Sequence, residues 1–189
     1  MKFNSAIVCA ALLAAALSPS FAAETAGGVP KGWFVAGSTP QQFVFGTEKC
    51  TSGKCAFIKA KVDAPTGFGT LMQIVAADSY LGKRLRLSAM LKTADADRAQ
   101  LWMRMDGADS KILGFYNMDD RPVTGTTDWK RYSLVLDVPN GTNNIAFGVF
   151  LYGKGKVWAE DFRLEPVSKY VPVSSTQLPK APANMKFDE

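Results

Sequence analysis

Three side chains spaced two apart, Trp102, Arg104 and Asp106, are the best equipped in this chain to hold a polar ligand. In an extended backbone such residues share one face. Leu101, Met103 and Met105 then turn to a core, and the indole, guanidinium and carboxylate face the other way. An indole stacks on the apolar face of a pyranose ring, and a guanidinium bonds hydroxyls in a planar, directional geometry. Asn117 on the following strand and Gln73 on an earlier one would add amide groups. Tyr116, Asp119, Asp120 and Arg121 would line the adjacent rim. The competing reading is structural: a Trp102 covered by a loop, and an Arg104 paired with Asp106 or Asp120.

Catalysis has fewer candidates. The 189 residues contain no histidine, which removes the commonest general base and the commonest zinc ligand. Asp106, Asp119, Asp120 and Asp128 could supply the acid and base of a glycosidase, but aspartates near Gly and Pro are usually turn formers. No catalytic residue is assigned, and neither a metal nor a cofactor is expected.

The positions that fix the compartment lie at the start. Lys2 precedes an apolar run, Ala6 to Leu17, too short to span a bilayer comfortably, and Ser20-Phe21-Ala22 offers small residues to a signal peptidase. Residues 1–23 therefore read as a signal peptide, and the mature chain as periplasmic or secreted, with no further membrane span. Cys50 and Cys55 remain after cleavage, with four residues between them, one a glycine. A disulfide across a hairpin end fits this spacing and compartment, and contributes about 2 kcal/mol on the chain-entropy estimate. The net charge of +5 is spread among interleaved acids, so no nucleic-acid stripe is expected.

These side chains must be positioned by strands. Turn signals separate alternating runs at 32–37, 43–45, 56–62, 70–76, 84–92, 101–106, 112–117, 129–138, 145–152 and 157–164, and no long amphipathic helix intervenes. Residues 24–28 read as a Gly-rich leader, 94–98 as a polar connection and 118–128 as a loop. Prolines 166, 172, 179 and 182 mark a flexible tail over 168–189. The fold class is all-β, an antiparallel β-sandwich or barrel spanning 24–167.

The final strand, Val157-Trp158-Ala159-Glu160-Asp161-Phe162-Arg163-Leu164 after a Gly-Lys-Gly turn, resembles the closing strand of galactose-binding-like jelly rolls, the fold of many carbohydrate-binding modules. Thr127-Asp128-Trp129-Lys130-Arg131-Tyr132 is similar to their T-x-x-W-x-x-Y strand. Phe68 to Gln73, Leu101 to Gly107, Asn117 to Pro122 and Gly125 to Trp129 resemble a bacterial group of uncharacterised proteins, some labelled transcriptional regulators, a role against which the signal peptide argues. The resemblance implies a jelly roll. Sugar-binding members often hold a structural calcium through a final-strand acid, matched here by Glu160 or Asp161. The acidic partner expected near Trp33 to Gly37 is missing, so calcium is not expected.

The combined expectation is an exported, non-catalytic module that binds carbohydrate or a similar polar ligand. A structural or protein-interaction sandwich is the alternative, and a carboxylate glycosidase the third reading.

Overall fold

The computed structural model describes residues 24–50, 53–175 and 185. The expected signal peptide lies outside them, as does most of the tail beyond residue 175. Ten strands form one continuous sheet: β1 (Glu24–Ala26), β2 (Phe34–Gly37), β3 (Phe43–Cys50), β4 (Gly53–Ala60), β5 (Phe68–Ala76), β6 (Arg84–Asp106), β7 (Ile112–Tyr116), β8 (Val123–Asp137), β9 (Asn144–Tyr152) and β10 (Lys156–Val167). All pairings are antiparallel except that of β1 with β3. The expected jelly-roll class is what the chain adopts.

β6 organises the fold. Its first half pairs with β10 and β8, its second half with β9 and β7. One strand thus belongs to both layers of the sandwich. Residues 94–98 are not a connection but the bend of this strand. No glycine or proline interrupts 84–106, so nothing in the sequence stops the ladder. The curvature is absorbed by register shifts against β8 and by Asp95, whose φ is +47°. Two other expectations change in the same way. The leader contains β1, and the loop expected over 118–128 ends early because β8 begins at Val123.

The two layers close on a single core. Leu85, Leu87 and Leu91 from the first half of β6 meet Leu101, Met103 and Met105 from the second, all fully buried, together with Phe43, Phe45, Ile58, Val149 and Leu151. Each such side chain stabilises the fold by about 1.5–3 kcal/mol relative to exposure. Cys50 and Cys55 are joined as a disulfide across the β3–β4 hairpin, as expected. Among the described residues no helix is long and apolar enough to cross a membrane.

Residues 168–175 run back against the sandwich. Arg84 holds Asp137 through two hydrogen bonds of 2.9 and 2.8 Å and donates from Nη1 to the carbonyls of Lys169 and Val171. Ser174 exchanges bonds with the Val135 backbone. The Arg84 hydrogen bonds, aided by Lys169 and outweighing burial, lower the Asp137 pKa from 3.8 to about 2. A depressed carboxylate contributes stability above its unfolded pKa and loses it as pH falls through the folded value. Attachment of 168–175 is therefore expected to weaken between pH 4 and pH 2. Amide exchange at Val171 and Ser174 measures it, and Asp137→Asn should remove that pH dependence. The carboxylate is 45% exposed, so solvent screening keeps the effect modest.

Candidate functional site

The second layer, in the order β7-β6-β9-β5-β2, carries a groove of about 740 Å³ on the face turned away from the core. Its composition follows from the two-residue period. Ala99, Leu101, Met103 and Met105 of β6 enter the core, which leaves Arg98, Gln100, Trp102 and Arg104 on the groove side. On β9, Val149 and Leu151 point inward, and Phe150 and Tyr152 outward. On β5, Leu71 points inward, and Phe68, Thr70 and Met72 outward.

The register stacks these residues in rows. Phe68, Tyr152 and Arg98 align across β5, β9 and β6. Thr70, Phe150 and Gln100 form the next row, then Met72, Gly148 and Trp102. Phe115 lies beside Arg104 on the edge strand β7, and Asn117 follows it. Phe68 and Phe150 contact at 5.4 Å between centroids, and the Arg98 guanidinium sits 6.0 Å from the centre of the Tyr152 ring. Phe115 and Tyr152 are the open rings, 52% and 43% exposed.

One end of the groove is a hydrogen-bonded polar cluster. Asp119 Oδ1 accepts from Arg98 Nη2 at 2.7 Å and from Gln100 Nε2 at 3.0 Å, and Oδ2 accepts from Asn117 Nδ2 at 2.8 Å. Gln100 Nε2 also donates to the Asn117 carbonyl at 2.8 Å. Burial alone would raise the Asp119 pKa, but the three donors outweigh it and hold the carboxyl below its ordinary value.

The structure gathers some of the expected site residues and separates others. Trp102, Arg104 and Asn117 line the groove. Trp102, however, is its floor and not a platform. It is 7% exposed, packs with Met72 and Ala146, and donates its indole N–H to Thr70 Oγ1 at 2.9 Å. Arg104 is held by Asp106 through bonds of 2.7 and 3.0 Å, the pairing the structural reading anticipated, so Asp106 supports the groove from its margin.

Gln73, Tyr116 and Arg121 do not join them. Gln73 alternates with Leu71 and Val75 on the core side, half-buried, with Nε2 3.7 Å from where a Cβ on Gly32 would stand. Tyr116 alternates away from Phe115 into the core, 5% exposed, and its hydroxyl donates to Asp120. Burial and the Asp120 carboxylate push its pKa up. Arg121 donates to that hydroxyl at 3.1 Å and to the Ser133 carbonyl at 2.6 Å, on the same far side.

Arg98, Gln100, Phe115, Phe150 and Tyr152 also line the groove and are not among the expected residues. The signal for them was present: stepping back by two from Trp102 gives Gln100 and Arg98, and the alternation of Ile145 to Tyr152 gives the two rings.

The remaining tryptophans lie elsewhere. Trp33 packs at the core margin against Phe162 and Phe147. Trp129 and Trp158 are half-buried beside Glu48 and Lys92, with Glu48 bonded to both Trp158 Nε1 and Lys156. Asp161 is engaged by Arg131 and Arg163.

No family model matches the chain. It is 44% identical over 168 residues to an uncharacterised HTH-type transcriptional regulator, YbfP, of Bacillus subtilis (strain 168). That match takes in 84% of this chain and 57% of the regulator, so the chain spans little more than half of that relative. The solved structures it resembles share its fold at low identity. A xylan-binding domain, CBM22-1, of Paenibacillus barcinonensis Xyn10C has a TM-score of 0.54 at 8% identity, over 74% of this chain and 88% of that one. The enzymatically active domain of tailspike protein 4 from bacteriophage CBA120 has a TM-score of 0.58 at 13% identity, over 75% of this chain and 20% of that one. These likenesses identify the architecture, which carries both binding and enzymatic proteins.

Proposed function

We propose that the chain is an exported, non-catalytic carbohydrate-binding module whose ligand lies in the groove across β7, β6, β9, β5 and β2. The observation that carries this reading is the groove's lining: the open rings Phe115 and Tyr152, with Phe68 and Phe150 beside Tyr152, interleaved with Arg98, Gln100, Asn117 and Asp119. A saccharide offers ring faces of axial C–H groups and a rim of hydroxyls, and this lining matches both. The stacking role passes from Trp102 to Tyr152 and Phe115. The architecture shared with a xylan-binding domain supports the same ligand class.

Binding is favoured over hydrolysis by the placement of the acids. Among the described residues Asp119 is the carboxylate lining the groove, and it already accepts from three side chains. Asp106 is committed to Arg104, Asp120 accepts from Tyr116 on the far side, and Asp128 caps the Trp129 amide in the other layer. Two-carboxylate hydrolysis needs a pair facing each other across the cleft, about 5 to 9.5 Å apart. The disulfide fits the oxidising compartment to which residues 1–23 would direct the chain. In this reading, the segment shared with the regulator is a ligand-binding part.

Glycan-array screening of the mature chain, followed by calorimetry, tests the proposal. Tyr152→Ala and Phe115→Ala should each weaken binding by roughly tenfold or more, the effect of losing a buried aromatic contact. Both residues are exposed in the free protein, so stability should change by no more than about 0.5 kcal/mol. Binding that survives both substitutions places the site elsewhere. A chain that binds no glycan favours the protein-interaction alternative.

A further inference from the structure

The groove contains one polar atom whose state the fold does not explain. Gln100 is fully buried in the groove wall, and among the described residues its Oε1 has no hydrogen-bond partner. The amide cannot be turned to relieve this. Its Nε2 sits between two acceptors, the Asn117 carbonyl at 2.8 Å and Asp119 Oδ1 at 3.0 Å, so the nitrogen must occupy that position and the oxygen the other. A buried acceptor left unpaired is costly, and one in a groove wall gains a partner when a bound ligand brings a donor to it.

We infer that Gln100 is the specificity-determining acceptor of the groove, taking a hydroxyl hydrogen of a neutral sugar and setting the site against anionic ligands. This rests on the groove reading above and narrows its ligand class. The charges around the site agree. Arg98 is neutralised by Asp119 and Arg104 by Asp106, so neither guanidinium is free to attract a carboxylate or a sulfate. At the polar end the donors of Arg98, Gln100 and Asn117 are already bonded to Asp119, and the acceptors left are Gln100 Oε1 and the Asp119 carboxylate. An anion there meets lone pairs, whereas a hydroxyl supplies the missing hydrogen.

Oε1 has no open surface, so a lining side chain must shift before a hydroxyl reaches it. Arg98 is the neighbour suited to do so. Its side chain is 40% exposed, and it holds the same Asp119 oxygen as Gln100 while covering the Tyr152 ring. A sugar stacking on Tyr152 would displace the guanidinium from that ring and loosen the polar end in which Gln100 is buried.

Calorimetry of the mature chain with xylohexaose, cellohexaose and α-1,4-linked trigalacturonate tests this, with Gln100→Met as the variant of similar shape lacking the acceptor. Binding of a neutral oligosaccharide is expected, weakened roughly tenfold by Gln100→Met, about the worth of one hydrogen bond. Because Gln100→Met also removes the Nε2 bonds, a second measurement isolates the oxygen. The side-chain carbonyl ¹³C resonance of Gln100 should move when the wild-type chain is saturated with the neutral ligand. Neutral binding with that resonance unmoved overturns the role of Gln100 and leaves the groove reading standing. Tighter binding of trigalacturonate overturns the ligand class. Failure to bind any of the three, after a glycan screen that is also empty, removes the groove reading and this inference with it.

Discussion

Trp102→Ala is expected to lower folding stability by about 3–5 kcal/mol, the cost of emptying a buried tryptophan site. The ring is 7% exposed and forms a small cluster with Met72 and Ala146, against which Ala36 and Phe150 also pack. Its N–H begins a short relay: Trp102 Nε1 donates to Thr70 Oγ1 at 2.9 Å, and Thr70 Oγ1 donates to the Val149 carbonyl at 2.8 Å. The indole therefore links β6 to β5, and Thr70 links β5 to β9, directly beneath the groove. Trp102→Phe keeps most of the buried ring but loses the donor, so a smaller loss of about 1 kcal/mol is expected. Urea unfolding of both variants measures the two contributions. A Trp102→Ala protein with wild-type stability and no ligand binding would return the indole to the role of an open platform.

That single residue shows where sequence reading succeeds and where it stops. Alternation placed Trp102 on the correct face of β6, opposite Leu101, Met103 and Met105, because period two is a property of the backbone alone. Depth on that face depends on neighbours one and two strands away. Thr70, Gly148 and Ala146 are small, and Trp102 sinks among them, whereas Tyr152 and Phe115 stand at the margins and remain open. Nothing local to residues 101–106 carries that information. Arg98 and Gln100 were hidden for a different reason. Their segment looks polar and turn-like, but a strand at the corner of a sandwich turns polar side chains into a groove while its alanines face the core. Gln73 and Tyr116 were misplaced by the opposite error. Amide and phenol groups suggested a binding surface, yet their phase in the alternation already assigned them to the core side.

Gly148→Ala is expected to be among the most damaging small substitutions in the second layer. Gly148 lies on β9 between Met72 of β5 and Trp102 of β6. A Cβ there would overlap the Leu71 carbonyl oxygen and stand 2.9 Å from Met72 Cα, and both obstacles are backbone, which cannot rotate away. The β5–β9 ladder would have to open, drawing Thr70 from the Val149 carbonyl and lifting the floor on which Trp102 rests. A loss at the upper end of the ~1–3 kcal/mol range for over-packed interiors follows. Gly114→Ala on the edge strand β7 is the control. There the nearest atom is Met105 Cγ at 3.4 Å, the flexible part of a side chain, so a change below about 1 kcal/mol is expected. Thermal or urea midpoints of the two variants decide the matter. Equal, small shifts would mean that the strands do not approach as closely at Gly148 as the groove requires. A large shift for Gly148→Ala alone means that the width of the groove floor and the stability of this layer are set by the same missing methyl group.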